Sequence, residues 1–467
     1  MSLFRRVFQK TGRAAGSFSA TMMALTVMTA ACTSLMLPDN APTLTQFPTG
    51  AAETAERTPE GGSAAGQTVA LIATAPIVDQ LSGTPTGIPA AAPITLRVWL
   101  PESLAPVENG NAAELLSEQI SGFLSLNPDV LLDLRLKRPS DVGGILSTLR
   151  TASIVAPDAL PDLTLMRRAD LVSAVQGGYL ETLDDRLPVG FFDAFDVRVA
   201  GLGRMEDRQY GVPFTLDLLH TAYNPTRTPN VESWSFQAML DQQVHFAFTA
   251  NRAGMLNDTV LLQLIAAGME ISPDGMLNVD SAALQSIFTY YQNAVAQDLI
   301  TPDVLTYVDP SAYADALLTG ETVGVISARQ YRQWIAQGES LAAGYIPTLD
   351  GTPITLLDGW MWVLVTADSR RQEAAARFLA WMFDPERQQA YTDAAGVIPS
   401  QQSALDLWDD TAYADFLESL LPNAVYPPDS NSAAAARLVQ TEFAAVINGS
   451  ESPGSAAQSL STQLARP

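Results

Sequence analysis

This chain of 467 residues has few of the side chains most catalytic and metal chemistry relies on: one cysteine, Cys32, and two histidines, His220 and His245, against 50 Asp and Glu, 26 Lys and Arg and seven tryptophans. A lone thiol rules out an internal disulfide framework and any thiolate-rich metal site, and two histidines argue against a His-based zinc site. No GxSxG elbow, HExxH helix, GxxxxGK[ST] loop or calcium-binding loop occurs, so neither a metal nor a cofactor is expected. Carboxylates are abundant enough to leave an acid pair of the glycosidase kind open. The remaining chemistry is recognition. Guanidinium forks such as Arg167 and Arg168 suit carboxylates and phosphates, and indole faces beside forked polar groups suit ligands that present both hydroxyls and C–H faces.

The thiol has a use of a different kind. Arg5, Arg6, Lys10 and Arg13 precede a run without charge that lasts to Asp39, and small residues Ala30 and Ala31 stand directly before Cys32. A basic start, a short apolar middle and small residues at the end make a secretory signal. The stretch resembles a bacterial lipoprotein lipobox, departing from it at Thr29, where leucine is usual. On that reading residues 1–31 are a signal peptide and Cys32 accepts a lipid that anchors the protein to a membrane. The alternative is an uncleaved N-terminal membrane helix. Both place the remainder outside the cytoplasm.

Charge agrees. The net charge is −24, and −28 without the four basic residues of the first 31. Such a surface repels nucleic acid and anionic head groups. From 32 to 93 the texture is Pro, Thr, Ala, Gly and Ser, with too little apolar surface to offset ordering entropy. A tether of that length reaches about 40 Å as a flexible coil. VALIATAPIVDQL (69–81) is apolar enough to dock on the folded body.

The elements that must position any site begin at Ile94. ITLRVWL (94–100) reads as a buried strand, NAAELLSEQISGFLSLN (111–127) as an amphipathic helix and VLLDLRLK (130–137) as a second strand; a helix around 144–151 and the strand DLTLM (162–166) follow. Strand and helix in alternation imply an α/β fold with a parallel sheet wrapped by helices, whose ligand crevices lie beyond the strands' carboxyl ends. Trp99 and Glu102 fall at the end of the first strand, and Arg167, Arg168 and Asp170 after the third. Asp280, Asp368 and Asp384-Pro385 mark helix starts, and Gly396 a helix end. The length from 94 to 467 exceeds what one core supports, so two lobes are expected.

The segments PDLTLMRRADLVSAVQGGYLETLDD (161–185), YGVPFTLDLLHTAYN (210–224), ESWSFQAMLD (232–241), ADALLTGETVGVIS (314–327), DGWMWVLVTADSRRQEAAARFLAWMFDPERQQAYTDAAGVIPSQQSA (358–404) and FAAVINGSESPGSAAQSLSTQL (443–464) together resemble the extracellular solute-binding proteins, family 1, of ABC importers. The resemblance implies a periplasmic-binding-protein-like fold with three inter-lobe crossings: lobe I from 94–215 with 354–384, lobe II from 217–353 with 385–467. It implies a solute, commonly a sugar, captured by lobe closure and handed to permease subunits, with no catalysis.

By position in those motifs, Asp217 sits at the first crossing, Asn251, Arg252, Arg329 and Tyr331 in second-lobe ligand loops, and Trp360 and Trp362 at the return crossing. One of the last two should face the cleft. Trp360 is favoured because Gly359 lets backbone and ring approach a ligand, with a core position for both as the alternative. The family's sugar binders often carry an aromatic after the third strand. Here Met166 and two arginines stand there, which opens the possibility of a sugar acid, phosphate or other anion. A surface carbohydrate-binding module without transport and a carboxylate-based glycan-active enzyme are the readings from other classes.

Overall fold

The computed structural model describes residues 92–464 apart from 105–109, 141, 229–230, 232, 253–254, 273–275 and 429–432. Cys32, the signal peptide, the tether up to residue 91 and the 69–81 segment lie outside the described residues.

The first elements follow the hydrophobic pattern closely. Strand β1 (Ile94–Pro101), helix α1 (Gly110–Leu126) and strand β2 (Val130–Lys137) lead to helix α2 (Ile145–Val155), strand β3 (Leu163–Met166) and helix α3 (Arg168–Gln176). β1 pairs in parallel with both β2 and β3, as alternating strand and helix require. Leu96, Val98 and Leu100 alternate into the core. Trp99 belongs to the strand itself instead of its rim and is buried, with the Lys137 ammonium 4.5 Å from its ring.

Two long strands then carry the architecture. β4 (Gly211–Tyr223), the short β5 (Phe246–Ala247), helix α4 (Ser281–Ala296), β6 (Val323–Ser327), helix α5 (Ala328–Ala336) and β7 (Thr355–Leu364) complete the main sheet, in the order β2-β1-β3-β7-β4-β6-β5. β4 changes partners along its length: Val212 to Leu218 lie against β7, and Leu219 to Ala222 against β6. β7 likewise pairs with β3 through Met361–Leu364 and with Ala424–Val425 at its start. Both strands thus belong to two sheet regions at once.

Helices α6 (Ser369–Met382) and α7 (Pro385–Ala395) begin at Asp368 and Asp384, whose carboxylates accept from Arg371 N–H and Arg387 N–H, and α7 ends at Gly396 with φ of 66°. Asp280 caps α4 in the same way, accepting from Ala282 N–H. α7 packs on α1: Gln119 donates to the Arg387 carbonyl at 2.9 Å, and Trp381 Nε1–H donates to the Gln119 carbonyl at 2.9 Å. Helix α8 (Thr411–Leu420) follows, and helices α9 (Ala433–Ile447) and α10 (Pro453–Leu464) close against α4. Two apolar clusters result. One surrounds β1, β3, β4, β7 and α6; the other gathers Phe248, Phe288, Tyr291, Phe443 and Leu460 beneath β5 and β6.

Where β4 and β7 run together the backbones touch. A Cβ on Gly359 would drive into the Thr215 carbonyl oxygen and crowd Leu216 Cα. This glycine is therefore required by the partner strand. Gly359→Ala should lower the urea-unfolding free energy by about 1–3 kcal/mol, whereas Gly268→Asn, at a φ of 92° with open space around its Cα, should cost less; equal effects would contradict the contact.

Candidate functional site

The antiparallel register sets Asp217 opposite Asp358 and Thr215 opposite Trp360. Residues two apart on a strand share a face, and so do residues directly opposed on antiparallel neighbours. Thr215, Asp217, Asp358 and Trp360 therefore form one floor. The register slips after Trp360, where Met361 pairs with Pro213 and Phe214 is the extra residue of a bulge. Beyond it Trp362 turns into the core between Phe214 and Phe378, with ring centroids 5.9 and 5.7 Å away. The irregularity separates the two tryptophans: Trp360 lines the cleft and Trp362 does not.

Two carboxylates side by side need compensation. Arg167, the residue after β3, forms an ion pair with Asp358, which also accepts from Gly359 N–H at 2.8 Å. Asp217 Oδ1 accepts from Arg329 N–H at 3.3 Å in the first turn of α5, where helix N–H groups have no internal partner and the dipole favours negative charge. Even so, burial, reinforced by Asp358, pushes the Asp217 carboxyl up to about 6 against the pull of Arg167 and Arg329. The floor opens into a cleft of about 50 Å³ walled by Leu104, Arg167, Arg329, Val397 and Trp360.

Of the residues proposed from sequence, Arg167, Asp217, Arg329 and Trp360 come together here. Arg252 lies within their electrostatic reach: its guanidinium pKa is lowered by burial and then by Arg167, Asp358 opposing, and it pairs with Asp258. Asp170 is raised by burial, with Arg167 and Asp358 acting on it in opposite senses. Glu102 and Asn251 are exposed, each with its backbone N–H bonded, to the Lys137 and Tyr307 carbonyls.

The others are occupied elsewhere. Arg168 donates to the carbonyls of Leu202 and Arg204 at 2.7 and 2.8 Å and lies over Tyr426. Tyr331 is buried, stacked on Tyr413 at 4.3 Å, its hydroxyl donating to the Leu341 carbonyl. Trp99 and Trp362 are core.

Sequence reasoning missed Asp358 and Thr215. The signal for Asp358 was present: it stands two residues before Trp360 on the same strand, so any reading that put Trp360 in the cleft put Asp358 there too. His220 is buried, its Nδ1–H donating to the Thr221 carbonyl and its Nε2 accepting from Tyr413, and burial holds its pKa down to about 4. It is a neutral structural side chain. Among the described residues no group of His, Cys, Asp and Glu could hold a metal ion, and no helix is long and apolar enough to cross a membrane.

Comparison with known proteins bears on this geometry. A family model described as bacterial extracellular solute-binding protein matches residues 138–416. No curated protein sequence matches the chain. Among solved structures, the cyclic alpha-maltosyl-1,6-maltose binding protein from Arthrobacter globiformis is similar with a TM-score of 0.62 at 17% identity, over 80% of this chain and 98% of that one. The sugar-binding protein MalE from the phytopathogen Xanthomonas citri gives 0.62 at 16%, over 79% and 96%. The GacH receptor of Streptomyces glaucescens gives 0.57 at 17%, over 79% and 97%. These likenesses establish the periplasmic-binding-protein fold.

The buried carboxylate makes stability depend on pH with a definite sign. Below about 3.8 Asp217 is protonated folded and unfolded; between 3.8 and about 6 only the unfolded chain ionises, so stability falls as pH rises and then stays lowered. The loss is up to about 3 kcal/mol, from 1.36 kcal/mol per pKa unit. Asp217→Asn should therefore be more stable than the wild type above pH 6, the gap closing toward pH 4, in urea-unfolding midpoints from pH 4 to 7.5. Parallel curves across that range would remove Asp217 as the source.

Proposed function

The chain belongs to the bacterial extracellular solute-binding proteins, and from that premise we propose that it captures a sugar or sugar-like solute on the floor formed by β4 and β7 and delivers it to the permease of an ABC importer. The observation that carries this reading is the composition of the floor. It combines carboxylate acceptors, guanidinium and backbone donors, and one indole face at the strands that run between two sheet regions. Hydroxyls take planar acceptors and forked donors, and the C–H face of a ring lies on an aromatic side chain. The similar solved structures named above bind sugars by their titles, which supports the same solute class here.

A binding role without turnover fits the same geometry. An acid pair that cleaves a glycosidic bond must flank that bond. Asp217 and Asp358 instead lie beside one another on a single floor, and Asp358 is engaged by Arg167. The lobes proposed are 94–215 with 354–384 and 217–353 with 385–467. Packing of α7 on α1 supports assigning that helix to the first lobe as well, with α9 and α10 in the second. The protein works outside the cytoplasm, held to the membrane by a lipid on Cys32.

Trp360 is also part of the apolar cluster around β7, so Trp360→Ala should weaken binding of the solute found in a thermal-shift screen of sugars, polyols and sugar acids by about 2 kcal/mol, roughly thirtyfold, and also lower the unfolding free energy by about 3–5 kcal/mol. Because a closing ligand must contact both lobes, small-angle scattering of a chain starting near Ala91 should contract on adding that solute. A saturating ligand that leaves the profile unchanged would favour a rigid surface module. Separately, Cys32→Ala should abolish acyl labelling and membrane association of the exported protein; wild type without an acyl label would refute the anchor.

A further inference from the structure

A cavity larger than the cleft lies beyond it, between α5, α7 and the loop that enters α8. Its volume is about 250 Å³, against about 50 Å³ at the crossing strands. One wall is aromatic and flat: Tyr331 stacks on Tyr413 at 4.3 Å with 27° between planes, and Trp408 lies 13° from the plane of Tyr413 at 6.4 Å. Arg332 takes no part in receiving a ligand. Its guanidinium is held by the Asp393 carboxylate and the Val397 carbonyl and covers the Trp408 ring at 4.2 Å.

One buried polar group on this wall is unpaired. Trp408 is 6% exposed, and its Nε1–H meets no acceptor among the described residues, a buried donor left unpaired at a cost of about 1–3 kcal/mol. The Asp409 carboxylate, which is exposed to solvent, and the Gln389 side-chain amide also line the cavity. A donor, an acceptor and an amide that is both, set beside stacked rings, match a ring bearing several hydroxyls. Three carboxylates, Asp393, Asp409 and Asp410, against the single Arg332 make the site unfavourable for anions.

We infer that this cavity is a second carbohydrate site, for an uncharged or amino sugar ring, separate from the floor of β4 and β7. The inference does not depend on the cleft's being the solute site, because none of its lining residues is shared with the cleft.

The test is fluorine NMR of the full chain labelled with 5-fluorotryptophan, with resonances assigned by Trp408→Phe and Trp360→Phe. Glucose, glucosamine, maltose and, as the anionic control, glucuronate are each titrated to about 100 mM. The Trp408 resonance should shift saturably with at least one of the first three and not with glucuronate. The shift should persist in Arg329→Ala, which alters only the cleft, and its apparent affinity should fall about fivefold in Asp409→Asn, the loss of one hydrogen bond. A Trp408 resonance unmoved by the three sugars, moved equally by glucuronate, or dependent on Arg329 would overturn the proposal. The Trp360 resonance reads the cleft independently, so failure of one site is distinguishable from failure of the other.

Discussion

Asp217 and Asp358 stand opposite one another across β4 and β7, an arrangement that like charge disfavours. The surroundings are organised to hold it. Arg167 reaches the pair from the end of β3, which ties the first parallel sheet to the crossing strands, and the opening turn of α5 presents Arg329 N–H from the far side of β6. Two separate stretches of chain thus converge on two side chains. Burial outweighs these partners and raises the Asp217 carboxyl, so the pair is only partly satisfied by the protein.

Such incomplete satisfaction distinguishes the cleft from the polar contacts around it. Arg168 and His220 are also polar and lie near the same strands, yet each is bonded to backbone or to a buried hydroxyl. They fix loops and strands in place. In the cleft Arg167 keeps about half of its side-chain surface open to solvent, whereas Thr215 and Trp360 are buried.

Local pattern carried much of this into the sequence reading. β1, α1 and β2 were legible from apolar spacing to within a residue or two, and the carboxylates of Asp280, Asp368 and Asp384 announced their helices because capping is a contact between near neighbours. The site was legible only in part. Asp217 and Trp360 were found from their motifs, but the opposition of Asp217 and Asp358 depends on the register of strands about 140 residues apart, which no local spacing encodes. Whether Trp99 and Trp362 face the cleft or the core was open in the sequence, because the length of β1 and the bulge at Phe214 are set by pairing partners. Arg168 resembled Arg167 in sequence; what separates them is a set of carbonyls at 202 and 204 that the fold brings beneath one and not the other.

The strand order also bears on how the chain reaches this state. β7 lies between β3 and β4, pairing with both, yet it is synthesised long after either. Until Leu364 has emerged, β3 has a neighbour on one side only, β1, and the first half of β4 lacks β7. Contacts of such sequence separation form slowly. Closing the sheet therefore waits for residues made late in synthesis, and the Ala424–Val425 partner of β7 comes later still.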